Sequence, residues 1–201
     1  MSRLEAKAGD VGFTRGTEWL HKAIRYVEKD PWERRPAWTN HSLLFTRDGS
    51  VGPGVDLLSQ AWAIEAQWKV EHNPWWARHK NDSGSRIQVF RPLFLEADEA
   101  LDVVDEALKH EGETYGWWKL GTHAVDRFVF DGREVTSRLM FVDSRPICSY
   151  LVGQAYEAQG FPYAFGAAIP ARAQDPDDQH RYVTSSTAEG RWAYIGEVVV
   201  P

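Results

Sequence analysis

Cys148, the one cysteine of the chain, is the side chain whose setting points most directly to chemistry. The surrounding residues predict a helix, because Ser144 can cap its start, Pro146 suits a first-turn position that needs no N–H, and Gly160 can end it. A thiol in the first turn of a helix faces unpaired backbone N–H groups and the positive end of the helix dipole, which can lower its pKa from about 8.5 to roughly 3.5–7.5. The same N–H groups can later hold an oxyanion. The setting is that of a nucleophile, provided that a base can reach the sulfur.

The alternative role for Cys148 is that of a small buried side chain, which is the usual role of a lone cysteine in a folded protein. Ile147, Leu151 and Ala155 recur at a spacing of four and give the predicted helix a core-facing stripe. Cys148 lies next to this stripe, at the edge of the buried face. A thiol there would be packed on one side and open on the other, so the helix favours the catalytic role without deciding it.

A thiol nucleophile requires an imidazole within hydrogen-bond reach and a polar group that orients the imidazole. His41 is the best-placed histidine, because it begins an apolar strand and a sheet would hold it rigidly. Glu65 lies inside another apolar strand, where a carboxylate needs a cationic or donor partner that an imidazolium on a neighbouring strand would supply. Spacing alone leaves Cys148, His41 and Glu65 as one candidate triad. The histidines that we assign to helix faces or polar loops, with solvated side chains, are His21, His72, His79, His110 and His180.

The elements that could position these residues follow from the apolar patterns along the chain. Alternating apolar residues predict strands at 9–14, 40–46, 62–66, 87–92 and 192–200. Apolar residues at spacings of three and four predict helices at 17–27 and 96–110, besides the helix of Cys148. A loop is predicted at 73–85 and a turn or loop at 175–178, with no assignment between 112 and 140. The absence of repeats and linkers predicts one domain of mixed strands and helices over residues 1–201.

Composition argues against several functional classes. A hydrophobic content of 43% and a charged content of 26% are typical of a folded globular protein, and one cysteine excludes an internal disulfide framework and a cysteine-rich zinc site. No histidine and carboxylate spacing typical of a metal site is present. The net charge of −6 argues against nucleic acid as a partner, since phosphate contacts need a clustered basic surface.

The chain also lacks the apolar segments that direct a protein to or across a membrane. Residues 1–7 are polar and do not form the apolar stretch of a secretory signal. No segment approaches the roughly 20 apolar residues that a membrane span needs. We therefore predict a cytoplasmic protein, unless another route exports it.

Ten tryptophans are many for a chain of this length, and several come in pairs. Trp75 and Trp76 are adjacent in the predicted loop, where they could contact a substrate as the walls of a cleft. The alternative is that each indole packs in the core or at its rim.

Five short motifs follow one another in the order of a known family. They are GDVGF at 9–13, NHS at 40–42, IEA at 64–66, YG at 115–116 and ICSYLVGQAY at 147–156. Together they resemble the permuted NlpC/P60 group of papain-like cysteine hydrolases, in its YiiX/YebB-like branch, which is related to lecithin:retinol acyltransferases. In this branch the histidine strand precedes the cysteine helix, whereas ordinary NlpC/P60 enzymes have the cysteine first. This chain has the permuted order, and the resemblance runs from residue 9 to about residue 178.

The resemblance implies an α+β domain with a circularly permuted papain-like fold, in which an antiparallel sheet packs against helices. It implies that Cys148 is the nucleophile, His41 the base and Glu65 the residue that orients His41. Tyr115 falls where the family tends to carry a tyrosine near the active site, although packing beside Trp117 and Trp118 would equally explain it. Neither a metal ion nor an organic cofactor is implied.

The resulting functional prediction is a cysteine amidohydrolase or peptidase that forms a thioester intermediate. The implied substrate is a small peptide or acyl compound, such as a peptidoglycan-derived peptide or a related isopeptide. Two alternatives stay open: an acyltransferase or lipid hydrolase that uses the same triad, and a non-catalytic binding module on the same fold.

Overall fold

The structure, a computed structural model, describes residues 3–17, 37–114, 148–166 and 174–201. Eight strands and four helices lie within these ranges. The strands are β1 (Leu4–Ala6), β2 (Val11–Arg15), β3 (His41–Arg47), β4 (Gly49–Val51), β5 (Trp62–Ala66), β6 (Val70–Pro74), β7 (Arg86–Pro92) and β8 (Trp192–Val199). The helices are α1 (Trp75–His79), α2 (Ala97–Leu108), α3 (Cys148–Ala158) and α4 (Pro176–Thr187).

Six of the strands form one antiparallel sheet in the order β6-β5-β3-β2-β7-β8, and β1 pairs with β4 in a second, two-stranded sheet. The first five residues of β3 are buried, because this strand is central and covered on both faces. On one face Leu44 and Ile64 pack in a cluster with residues of α2, α3 and α4. On the other face Leu43 and Phe45 pack with the indoles of α1.

Helix α3, which carries the cysteine, is fixed to the sheet by apolar packing and by one buried hydrogen bond. Leu151 and Ala155 lie in the core, as the sequence spacing predicts. The Tyr156 hydroxyl donates to the carbonyl of Gly9 at 2.7 Å, just ahead of β2. Gly160 has a φ of +85° two residues after the helix, which fits the predicted helix end. These contacts hold α3 (Cys148–Ala158) in its register relative to the sheet.

The predicted α+β class and the antiparallel sheet packed against helices are confirmed, and so is the order in which the histidine strand precedes the cysteine helix. The predicted strands all lie within one or two residues of observed ones. The helix predicted at 96–110 is α2, where Glu96 and Glu99 form a capping box that satisfies the first-turn N–H groups.

Two predictions of irregular structure are wrong. The segment 73–85 contains the end of β6 and helix α1, because both tryptophans turn into the core. Asp175 does not belong to a turn but caps α4, accepting from the Asp178 N–H at 2.7 Å, with Pro176 as the first helical residue. The polar sequence of α4 conceals this helix, since its buried positions include Gln179 and His180.

Several predictions fall outside the described residues. They are most of the helix predicted at 17–27, the caps Ser144 and Pro146, and Tyr115.

We expect Tyr156→Phe to lower the free energy of unfolding by about 1–2 kcal/mol, because the buried carbonyl of Gly9 would lose its partner. Urea unfolding with an unchanged m value is the measurement. The control is Tyr163→Phe, whose side chain is largely exposed and whose loss should change stability by less than about 0.5 kcal/mol. Equal stability of the two variants would show that the Tyr156 hydrogen bond does not fix α3.

Candidate active site

The predicted base and its orienting carboxylate lie on adjacent strands and touch. β3 pairs with β5 so that Leu43 lies opposite Glu65, and His41 lies on the same sheet face two residues before Leu43. His41 Nε2 is 2.7 Å from Glu65 Oε2, and both side chains are buried. A carboxylate in an apolar strand needs a donor or cationic partner, and His41 is that partner for Glu65.

The predicted nucleophile reaches His41 from the start of α3. Cys148 is buried, and its thiol and the His41 ring are close enough for each to shift the pKa of the other. Glu65 occupies Nε2 of that ring, which leaves Nδ1 for the sulfur. The backbone N–H groups of Ser42 and Ser149 also lower the pKa of the thiol. Ser42 lies just before the segment of β3 that pairs with β5, so its N–H is available.

The electrostatics of this cluster favour a thiolate–imidazolium pair. Burial by itself would lower the pKa of His41, but the neighbouring Cys148 and then Glu65 outweigh it and raise that pKa to about 10. Burial by itself would raise the pKa of Cys148, yet the imidazolium of His41 and the two backbone N–H groups lower it. The two shifts have opposite directions, and both favour the proton on the imidazole and the negative charge on sulfur.

Glu65 has two further partners that the sequence analysis did not connect with it. His79 Nε2 is 2.8 Å from Glu65 Oε1, and the Gln67 amide donates to Glu65 Oε2 at 3.2 Å. Burial would raise the pKa of Glu65, but His79 and then His41 outweigh it and hold that pKa far below its usual range. The carboxylate therefore stays charged although it is only 3% exposed.

The prediction that His79 is a solvated surface histidine is wrong, because α1 turns it inward. It is 7% exposed, and its Nδ1 lies 2.7 Å from Asp82 Oδ2. A usable signal existed in the sequence: Trp75 and His79 are four residues apart and lie on one face of a helical turn. A turn that buries the indole must then bury the imidazole as well.

The two tryptophans that were predicted to contact substrate are buried on the sheet face that Glu65 shares. Trp75 and Trp76 are 2% and 7% exposed and belong to the core cluster of Leu43 and Phe45. The Trp75 ring is stacked on the His79 ring, with centroids 4.9 Å apart and planes at 26°. Their burial supports the packing role for both indoles. Trp75 also contacts His79, which in turn contacts Glu65. Tyr115 lies outside the described residues.

Within the described ranges, no three His, Cys, Asp or Glu side chains converge so as to hold a metal ion. No helix in these same ranges is both long and apolar enough to cross a membrane.

The chain matches no family model and no curated protein, but it is similar to a solved bacterial structure. The solved structure of the metalloprotein YiiX from Escherichia coli O157:H7 is similar, with 15% sequence identity and a TM-score of 0.47. The similarity covers 97% of this chain and 89% of YiiX.

We expect the labelling of Cys148 by iodoacetamide to stay fast well below pH 8, because the His41 imidazolium lowers the thiol pKa. In His41→Ala the pKa of Cys148 should move upward, since only the two backbone N–H groups then oppose burial, and labelling at pH 6.5 should slow by roughly ten-fold or more. The measurement is the labelling rate from pH 5 to 10, followed by intact mass. His110→Ala, which removes a histidine bonded to Glu113, serves as the control and should keep the wild-type profile. An ordinary thiol profile in all three proteins would contradict the ion pair.

Proposed function

We propose that the protein is a cysteine hydrolase in which Cys148 is the nucleophile, His41 the general base and Glu65 the residue that orients His41. The observation that carries the proposal is the buried row of Cys148, His41 and Glu65, in which His41 Nε2 contacts Glu65 Oε2 at 2.7 Å and the thiol and the imidazole shift each other's pKa. Buried charges are costly unless they are paired, and three ionisable groups in one buried row are seldom retained for stability alone.

The proposed reaction begins with the proton already on His41. The thiolate of Cys148 attacks the carbonyl carbon of an amide or ester, and the carbonyl electron pair moves to oxygen. The Cys148 backbone N–H is a donor for the resulting oxyanion, as the helix position suggests. Collapse of the tetrahedral species forms a thioester and expels the leaving group, which takes the proton from Nδ1 of His41. His41 then removes a proton from water, and the hydroxide releases the acid and restores the thiolate.

Unpaired polar atoms next to the triad support a functional role for this region. Asn40, Ser42 and Ser149 adjoin His41 or Cys148 in the chain, and each has a buried side-chain N or O atom without a hydrogen-bond partner in the described structure. Such atoms are uncommon in folded proteins and cost free energy unless something else binds them.

Cys148→Ala should reduce turnover by about 10³-fold or more while the protein stays folded, because the thioester cannot form without sulfur. Glu65→Gln should reduce turnover by roughly 10–100-fold, since an amide is neutral and its NH₂ group would face an imidazole N–H. The assay uses a panel of small amides and isopeptides, peptidoglycan-derived peptides among them, together with an aryl ester as a general acyl donor. Circular dichroism of both variants checks the fold. Undiminished turnover in Cys148→Ala would sink the nucleophile assignment.

The fate of the acyl group distinguishes hydrolysis from transfer. We propose water as the acceptor, and the same assay with an added primary amine tests it through the ratio of acid to amide product. Predominant amide at low amine concentration would instead identify an acyltransferase. A protein that binds these compounds without turnover, and whose thiol has an ordinary pKa, would be a binding module.

A further inference from the structure

We propose that His79 and Asp82 extend the triad into a five-residue chain of alternating charge, in which His79 is a positioning residue that fixes Glu65 against His41. This inference rests on the proposed function, because it assigns a role at the same site. The chain runs from Cys148 through His41, Glu65 and His79 to Asp82.

The contacts of His79 require both of its ring nitrogens to be protonated. His79 Nε2 lies 2.8 Å from Glu65 Oε1, and His79 Nδ1 lies 2.7 Å from Asp82 Oδ2. An ionised carboxylate can only accept hydrogen bonds, so both ring nitrogens must carry a proton. A ring with two N–H groups is an imidazolium, and His79 is therefore a second cation on the far side of Glu65. In agreement, burial would lower the pKa of His79, but Glu65 and then Asp82 outweigh it and raise that pKa to about 9.

The two carboxylate oxygens of Glu65 accept hydrogen bonds from different donors. Oε2 accepts from His41 and from the Gln67 amide, whereas Oε1 accepts from His79. Each oxygen therefore has its own donor, and the carboxylate cannot rotate without losing both imidazoles. If His79 were absent, Oε1 would become a buried acceptor without this partner, and the orientation of His41 would loosen.

His79 is itself held rigidly by the contacts of helix α1 and by the Trp75 ring. Two backbone N–H groups of helix α1 bond the residues just before β5. The Trp75 backbone N–H donates to the Ala61 carbonyl at 3.0 Å, and the Ala77 backbone N–H donates to Gln60 Oε1 at 2.9 Å. The Trp75 ring stacks on the imidazole, and an aromatic face stabilises a cation. A residue fixed in this way can fix its neighbour in turn.

Other charged groups near His79 do not replace it. Arg78, its neighbour on α1, is directed to Gln67 Oε1 at 3.2 Å and to Glu71 Oε2 at 3.8 Å, and it reaches Glu65 only through the Gln67 amide. His79 is thus the cation in direct contact with Oε1 of Glu65.

Two substitutions separate the charge of His79 from its hydrogen bond. In His79→Gln the amide can still donate to Glu65 but has no charge, whereas His79→Leu loses both properties. Without His79, Glu65 is held less firmly against His41, the imidazolium that lowers the pKa of the Cys148 thiol, so that pKa should rise. We expect the apparent pKa of Cys148 in the iodoacetamide profile to rise by about one unit in His79→Leu, equivalent to about ten-fold slower labelling on the acid side, and by about half a unit in His79→Gln.

The matched control is His72→Gln. His72 is half-buried on β6, packs against Trp62 and bonds the Thr46 hydroxyl through Nε2 at 2.7 Å, so its replacement also removes a packed, hydrogen-bonded histidine. It should leave the labelling profile unchanged, although it can lower stability. A role of His79 in packing alone would make both histidines behave alike, with lower melting temperatures and unshifted profiles.

The outcomes separate this inference from the proposed function on which it rests. An ordinary thiol profile in the wild type overturns the proposed function, and the inference with it. A low thiol pKa in the wild type that persists in both His79 variants overturns the inference alone. If His79→Leu fails to fold, the labelling profile of His79→Gln decides whether the inference holds. NMR titration of the His79 ring in the wild type is a second test. A midpoint near pH 9 supports the imidazolium, and a midpoint near pH 6.5 overturns the inference.

Discussion

The buried carboxylate of Glu65 is the constraint on which the rest of the site depends. A carboxylate inside a central strand is destabilising unless it is charge-paired and fully hydrogen-bonded. Its two oxygens meet this requirement through imidazoles from two different elements, His41 at the start of β3 and His79 at the end of α1. Because the carboxylate must have both partners, β3, β5 and α1 cannot shift independently. The placement of Cys148 by α3 then completes an assembly that is already fixed in position.

The core determines the register that makes this pairing possible. Leu43 and Glu65 lie opposite each other and face the layer of Trp75, whereas Leu44 and Ile64 face the helices. A slip of one residue between β3 and β5 would exchange the faces, turning Glu65 into the apolar layer under α3 and Ile64 towards His79. The free energy of apolar packing therefore protects the geometry of the polar site. Core and site are encoded by the same alternation.

This explains which features could be predicted from the sequence and which could not. The apolar alternation of β3, β5 and β7 is local, so these strands and the burial of His41 and Glu65 follow from neighbouring residues. The partnership of Glu65 with His79 spans fourteen residues and a strand reversal, and no local pattern contains it. Helices α1 and α4 were missed because one is only five residues long and the other buries polar groups such as Gln179. Hydrophobic periodicity does not reveal a helix whose buried side chains are polar and hydrogen-bonded.

Alternating charge also bears on the proposed reaction, because the strongest influence that raises the pKa of His41 is the negative charge on Cys148. That charge exists only while the sulfur is a thiolate. Once the thiolate attacks a carbonyl, its electron pair becomes a carbon–sulfur bond and the attraction that held the proton on His41 is lost. The imidazolium of His79 still shares the carboxylate of Glu65 with His41. Because the negative charge on sulfur is gone, the pKa of His41 falls, and His41 becomes a stronger acid at the stage when the leaving group needs a proton. When hydrolysis restores the thiolate, the pKa of His41 rises again and the proton taken from water is retained. In this way the same row of charges lets His41 act as an acid towards the leaving group during acylation and as a base towards water during deacylation.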